Sequence, residues 1–190
     1  MSLSEPKAKR EPLHRRTIEI VGYKRDDGLY DIEGRLTDRK DVEFPVGGRV
    51  KPPGEPVHDM WLRITVDREL RIVDAQASTD AMPYQDECDR IAPDYARLVG
   101  LSIGPGYLRH LKERLGGVNG CTHITELAAS LATAAFQTFA GQGLAPPDRR
   151  PPQLDRCHAL DSHGPVVARF YPRWYRGAAP VDGAGPGENH

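Results

Sequence analysis

The stretch VHDMWLRITVD (residues 57–67) decides the fold class, because its apolar and polar residues alternate as in a half-buried β-strand. The segment LRIVDAQAS (70–78) predicts a second strand, and a two-residue loop between the strands would place Arg63 opposite Asp74. The first strand's two faces differ: one carries His58, Met60, Leu62, Ile64 and Val66, and the other carries Asp59, Trp61, Arg63 and Thr65.

The chain upstream predicts a hairpin. TIEIVGY (17–23) is rich in β-branched residues, GLYDIEGRL (28–36) alternates, and Asp27-Gly28 between them is a typical turn dipeptide. Asp31, Glu33, Asp38 and Lys40 are interpreted as charges on the solvated face of this strand, and the basic N-terminal residues as a solvated tail. The Gly/Pro-rich segment 43–56 is predicted to be a long loop of the kind that lines a site.

The period changes to helical after Asp80. Residues 83–100 predict short helical turns interrupted at Pro93, and 107–117 predict an amphipathic helix closed by glycine. A long helix is predicted at about 122–140 from the stripe Ile124, Leu127, Ala128, Leu131 and Ala135. Strands followed by helices predict an α+β fold, an antiparallel sheet of three to five strands with about three helices packed on one face.

The predicted organisation is one domain with flanking segments. We expect a disordered N-terminal lead (1–13), the α+β domain (14–143) and a Pro-rich linker (144–153). A C-terminal segment (154–175) is expected to pack back on the domain, with a last strand within 164–175, and 176–190 to form a disordered tail.

Composition argues against several classes of protein. The formal net charge is −1, so binding to nucleic acid is not indicated, and the mean hydropathy is −0.56. There is no apolar run long enough for a membrane span and no secretory signal, and three widely spaced cysteines do not make a disulfide framework. A cytoplasmic protein with free thiols is expected. No motif for a nucleotide cofactor occurs, and none is expected.

The segment NGCTHITEL (119–127) holds the strongest candidate site. Cys121 lies where the dipole of the long helix favours a thiolate, and His123 and Glu126 are three residues apart and share a helix face. These groups suit acid/base chemistry, with His58 as a fourth catalytic candidate. The structural alternative is that Thr122 or Asn119 caps the helix, Glu126 complements its positive end and Cys121 packs as a small apolar group.

Two further sets of candidate residues accompany this site. Arg63 is a candidate carboxylate anchor, with Asp59 and Trp61 beside it as substrate-binding residues. Cys88, Cys121 and His123, with one further ligand such as His58, are candidate ligands for zinc or iron.

The best functional hypothesis is a lyase- or hydrolase-type enzyme acting on a small organic molecule, possible substrates including carboxylates. The predicted cleft lies between the 43–56 loop, the His58 strand end and the Cys121 helix start. One alternative is a metal or iron–sulfur carrier. Another is an accessory module that contacts a partner protein through Trp61, Trp174 and Tyr175, and a homo-oligomer also stays open.

Four segments together resemble a bacterial family catalogued only as a domain of unknown function: YKRDDGLYDIEGRLTDRK, GEPVHDMWLRITVD, MPYQDECDRIAPDYARLVG and LGGVNGCTHITEL. The resemblance runs from about His14 to Gln142 and includes the later RCHAL and YPRW segments. It implies no activity. It does imply that the candidate residues belong to the family's signature segments, namely His58, Asp59, Arg63, Cys121, His123 and Glu126.

A fainter resemblance links residues 70–131 to iron–sulfur cluster scaffold proteins, in which cysteines follow a strand and open a helix. Cys88 and Cys121 match two of the three cysteine positions of that pattern. The upstream loop has no matching cysteine, and Gly120 stands where a histidine often precedes the last cysteine. The resemblance therefore implies a shared fold more than a shared activity.

Overall fold

A computed structural model describes residues 3–140, 148 and 150–177. Contacts divide the chain into two compact units, Met1–Gln142 and Gly143–His190. The first unit holds strands β1 (His14–Lys24), β2 (Tyr30–Lys40), β3 (Phe44–Val46), β4 (Arg49–Lys51), β5 (Pro56–Val66) and β6 (Ile72–Ala81). It also holds a 3-10 helix (Ala92–Leu98), helix α1 (Tyr107–Leu115), a 3-10 turn (Gly117–Asn119) and helix α2 (Thr122–Phe139).

Four strands form one antiparallel sheet in the order β1-β2-β5-β6, which confirms the predicted α+β fold. Burial alternates along β2, where every second residue from Tyr30 to Asp38 is buried. In β5, Met60, Leu62, Ile64 and Val66 lie on the buried face as the sequence predicts. Apolar burial on this face drives the sheet and the helices together.

Helix α2 packs across β1, β2 and β5 through the predicted stripe, whose five residues are all buried. Gly34, in the middle of β2, permits the close approach, since a Cβ there would lie 2.9 Å from side-chain carbons of Leu127 and Leu131. Helix α1 ends at Leu115 and is closed by a glycine, Gly116, as predicted. It packs on α2 and on the 3-10 helix Ala92–Leu98. Pro93 stands in the first turn of that 3-10 helix, where its missing N–H costs nothing.

The prediction of a long loop at 43–56 is wrong. β3 and β4 form a small hairpin there, with register pairs from Phe44–Lys51 to Val46–Arg49. Gly47 and Gly48 both have positive φ (60° and 79°), as a two-residue hairpin turn requires. The density of Gly and Pro in this segment therefore marked a turn and its flanks.

The predicted pairing of Arg63 with Asp74 is also wrong. Arg63 lies opposite Gln76, and Asp74 lies opposite Thr65. The connection between Val66 and Ile72 is longer than two residues. Asp67 stabilises it by accepting hydrogen bonds from the N–H groups of Glu69 and Arg71. Leu70 completes the turn with a positive φ of 60°.

The second unit contains helix α3 (Pro165–Phe170) and 3-10 turns at His158–Leu160 and Pro172–Trp174. The prediction of a strand within 164–175 is wrong, because Pro165 occupies the first helical turn, a position that proline favours, and Val167 is buried on the resulting helix. Half of the predicted linker (144–153) and most of the predicted tail (176–190) lie outside the described residues.

Candidate functional site

Three polar residues from neighbouring strands form a row at one end of the sheet. Arg16 of β1 is the register partner of Asp38 of β2, and Asp38 is the register partner of His58 of β5. All three project from the face that α2 covers, because each follows the alternation of the apolar residues beside it. The sheet end therefore carries a polar row where the apolar face stops.

Asp38 is the centre of this row and is only 3% exposed. Its Oδ1 accepts hydrogen bonds from His14 Nε2 and Arg16 Nε, both at 2.8 Å. Its Oδ2 accepts one from Arg16 Nη2 at 2.8 Å and lies 3.1 Å from His58 Nδ1. The guanidinium of Arg16 thus holds the carboxylate through two parallel bonds, which fixes its orientation.

The start of α2 adds His123 to the cluster. His123 Nε2 lies 3.5 Å from Asp38 Oδ2, and its ring stacks on that of His58 with centroids 3.8 Å apart. The buried phenol of Tyr95 positions this helix start: it donates to the Cys121 carbonyl at 2.8 Å and accepts from the Cys121 N–H at 3.0 Å. Burial raises the pKa of Tyr95 to about 12, so the phenol keeps its proton.

Burial and charge set the protonation states of the cluster at neutral pH. Burial and the neighbouring His123 together lower the pKa of His58 to about 4, although Asp38 opposes the shift. Burial also lowers the pKa of His123. Burial disfavours the charged form of Asp38, but hydrogen bonds from Arg16 and His14 outweigh it and hold the pKa well below its usual range. The site therefore combines one carboxylate with two neutral imidazoles.

Within the described residues, Asp38, His58 and His123 form a group whose potential ligand atoms all lie within 4.8 Å of one another. The edge of the cluster toward solvent is formed by His14, Arg16 and Glu126, whose side chains are 40%, 31% and 42% exposed. Arg16 Nη1 also donates to Glu126 Oε2 at 2.5 Å, so Arg16 bridges the sheet and α2.

The structure brings together His58 and His123 from the set of candidate catalytic residues and places Cys121 and Glu126 beside them. Cys121 Sγ is half-buried, 3.7 Å from Met60 Sδ and 3.8 Å from His123 Nδ1. Glu126 reaches the cluster through Arg16. The group of potential ligands among the described residues consists of Asp38, His58 and His123 and contains neither Cys121 nor Cys88. The predicted Cys88–Cys121–His123 set stays a prediction.

The three predicted substrate-binding residues lie on the opposite face of the sheet from the histidines. Asp59 binds Arg35 through two hydrogen bonds of 2.8 and 2.6 Å, Trp61 Nε1 donates to Asp80 at 3.0 Å, and Arg63 donates to Gln76 at 2.6 Å. Trp61 and Arg63 line a shallow open groove of about 350 Å³ on that face. Arg63 therefore lies on the other side of the sheet from His58 and Cys121, the two positions that bound the predicted cleft.

Asp38, Arg16 and His14 are the site residues that the sequence analysis missed. Asp38 was assigned to the solvated face, and His14 and Arg16 to a basic tail. The signal was present in the alternation: Tyr30, Ile32, Gly34 and Leu36 define the buried face of β2, and Asp38 is the next residue on it. A charge at an apolar position needs a partner, and such partners mark a site.

Comparisons with known proteins give one match. Residues 14–137 match the model of a family described as a protein of unknown function (DUF2889). No curated protein and no solved structure matches the chain. The resemblance to iron–sulfur scaffold proteins stays a prediction. No helix among the described residues combines the length and the apolar character needed to cross a membrane.

Proposed function

This chain belongs to the DUF2889 family of proteins of unknown function, and we propose that it binds one divalent transition-metal ion through Asp38, His58 and His123. The observation that carries the proposal is the convergence of three potential ligand atoms, two of them nitrogens of neutral imidazoles, on one end of the sheet.

The spacing of these atoms suits a metal. Ligand–metal distances of about 2.0–2.1 Å in a tetrahedral site place neighbouring ligand atoms about 3.3 Å apart. Asp38 Oδ2 lies 3.1 Å from His58 Nδ1 and 3.5 Å from His123 Nε2. A metal ion binds a neutral imidazole and an ionised carboxylate. The lowered pKa values of His58 and Asp38 supply these two forms at neutral pH.

The donor set indicates the kind of ion. Two histidines and one carboxylate are used for catalytic zinc and for non-haem iron(II), and three protein ligands leave coordination positions open to water. An ion held by these three residues would lower the pKa of a bound water toward neutrality, which would suit hydrolase- or lyase-type chemistry. A small-molecule substrate would approach from the solvent side, where Arg16 is the nearest cation to the ligands.

Cys121 has a supporting part in this proposal. When His123 binds through Nε2, its Nδ1 carries the proton and faces Cys121 Sγ at 3.8 Å. Partners of this kind fix the tautomer and the ring orientation of a ligating histidine. Tyr95 fixes the backbone of Cys121 in turn.

A second candidate function is supported by the His58–Asp38 hydrogen bond, which by itself resembles a metal-free base and its orienting carboxylate. A base whose pKa is about 4 takes up a proton weakly at pH 7. The metal site is therefore the better supported of the two.

Metal content of the full chain tests the proposal. The protein is produced without a polyhistidine tag, stripped with a chelator, titrated with zinc(II), cobalt(II) or iron(II), and analysed for bound metal. We expect one ion per chain, with binding lost in His58→Ala and in His123→Ala. The matched control is His110→Ala, since the side chain of His110 on α1 is 45% exposed and bonds to Glu113 outside the cluster. Stripped protein that takes up no ion saturably, or equal uptake by all three variants, would refute the proposal.

A further inference from the structure

Strand β1 forms one edge of the sheet and leaves one side unpaired over its full length. It pairs with β2 from His14 to Lys24, and none of the described residues makes a backbone hydrogen bond to its other side. The opposite edge strand, β6, is paired on its outer side at its first residue, because Ile72 exchanges backbone hydrogen bonds with Gly100 and Leu101. A long exposed edge of this kind is a template for pairing with another strand.

The ladder shows which β1 groups face outward. Neighbouring residues of an antiparallel strand point their N–H and C=O groups to opposite sides. Hydrogen bonds from Arg25 N to Leu29 O and from Asp41 N to Leu13 O mark odd-numbered residues as bonded toward β2. The even-numbered residues therefore present their N–H and C=O groups to the open side: His14, Arg16, Ile18, Ile20, Gly22 and Lys24.

We propose that a second copy of this chain occupies this edge, with the two β1 strands antiparallel about a two-fold axis through Thr17. The axis would place Arg15 of each copy opposite Glu19 of the other, and Leu13 opposite Val21. All of these side chains are on the sheet face away from α2. Opposite charges and Thr–Thr pairs directly across an antiparallel ladder are both stabilising.

Exposure agrees with this pairing. The Arg15 side chain is 67% exposed, and its ion pair with Asp41 is long, at 3.8 Å. Leu13 and Val21 are 61% and 40% exposed, so pairing would bury apolar surface of both side chains that is now in contact with water.

Charge distinguishes this register from its neighbours. A two-fold axis through Glu19 would place two glutamates opposite each other, and one through Arg15 would do the same with two arginines. An axis through Ile18 would pair Arg15 with Val21 and leave Glu19 opposite Thr17. Among these four registers, the Thr17 axis alone places opposite charges across from each other, and it does so twice by symmetry. It would also form about eight backbone hydrogen bonds between the even-numbered residues of the two strands.

This inference is independent of the metal proposal, and it accounts for the oligomer that the sequence left open. Light scattering of the full chain at about 10–200 µM should give a mass twice the 21.1 kDa of the monomer. Glu19→Arg and Arg15→Glu should each shift the protein to monomer by setting like charges opposite one another, and the double exchange should restore the dimer. Glu43→Arg, which makes the same charge change at an exposed residue off the edge, should leave the dimer intact.

A cross-link tests the register directly. The two Thr17 residues form a non-hydrogen-bonded pair, whose Cα atoms lie about 4.5 Å apart, within reach of a disulfide. Thr17→Cys in a Cys157→Ser background should give a covalent dimer on mild oxidation, and Val21→Cys should not, because Val21 faces Leu13. A monomeric wild-type chain at 200 µM, or a dimer that neither charge variant weakens, would overturn the proposal.

Discussion

Replacing Asp38 by asparagine is the sharpest test of the row Arg16–Asp38–His58. Both carboxylate oxygens accept hydrogen bonds, from Arg16 and His14 at Oδ1 and from Arg16 and His58 at Oδ2. Asparagine keeps one acceptor oxygen and turns the other into an NH₂ group that faces donors. The substitution therefore removes the charge and about two charge-assisted hydrogen bonds without changing the size of the side chain.

The expected loss of stability follows from these contacts. Hydrogen bonds to charged groups contribute about 1.5–3 kcal/mol each, and breaking a fully buried ion pair costs about 3–5 kcal/mol. The Arg16 side chain is 31% exposed and keeps Glu126 as a partner, so its unpaired charge is partly solvated. We therefore expect the free energy of unfolding to fall by about 2–3 kcal/mol, which lowers the Tm by about 6–9 °C.

Asp59→Asn is the matched control. Asp59 makes a similar two-bond contact with Arg35, which crosses β2 and β5 where the Arg16–Asp38 contact crosses β1 and β2, and it lies on the other face, away from the histidines. Denaturant unfolding followed by circular dichroism gives the stability of both variants, and metal titration gives their affinity. We expect Asp38→Asn to lose at least about 100-fold in metal affinity and Asp59→Asn to lose none. Equal stability losses together with unchanged metal binding in Asp38→Asn would refute the reasoning.

Three further predictions concern pH, packing and the thiol. The pKa of His58 is about 6.5 in the unfolded chain and about 4 in the folded protein. Between these two pH values the unfolded chain binds a proton that the folded protein does not, so the free energy of unfolding is highest above pH 6.5 and decreases as the pH falls toward 4. Acid unfolding of His58→Ala should therefore show a flatter pH dependence in this window than wild type; an unchanged slope contradicts the shift. Gly34→Val should lower the free energy of unfolding in urea by about 2–3 kcal/mol, since a Cβ at this position would lie 2.9 Å from side chains of α2. Gly104→Ala should leave it unchanged, because no atom lies within 4 Å of a Cβ there. Cys121→Ser should weaken metal binding by about 10-fold, less than His123→Ala, in the same titration; complete loss would instead make the thiol a ligand.

Strand and helix identity followed from local pattern. The alternation in 57–67 and the stripe of residues from Ile124 to Ala135 each depend on neighbours close in sequence, and both elements formed where the periodicity placed them. Local pattern misled where two signals competed. The two valines of 164–175 favoured a strand, but the preceding proline favoured a helix start, and the helix formed.

In the candidate site, too, the residues marked by a local pattern were predicted, and the residue that depends on partners distant in sequence was not. His58 was recognised because it stands at the end of an apolar strand face, and Cys121 and His123 because they lie where a long helix begins. Asp38 was missed, because its importance comes from Arg16 on one neighbouring strand and His58 on the other, and a single strand does not show its partners. Asp59, Trp61 and Arg63 were assigned as substrate-binding residues to accompany the catalytic candidate His58, although alternation sends them to the other face.

By itself, the sequence determined which segments become strands and helices and which of their faces are apolar, because these depend on backbone preferences and on the 2.0- and 3.6-residue periods. Only the tertiary structure decided that the beginning of β1, the end of β2, the beginning of β5 and the beginning of α2 meet at one place. Antiparallel register set Arg16, Asp38 and His58 side by side. Burial there then made the imidazoles neutral while the carboxylate stayed charged, a property that no residue has until its neighbours are in position.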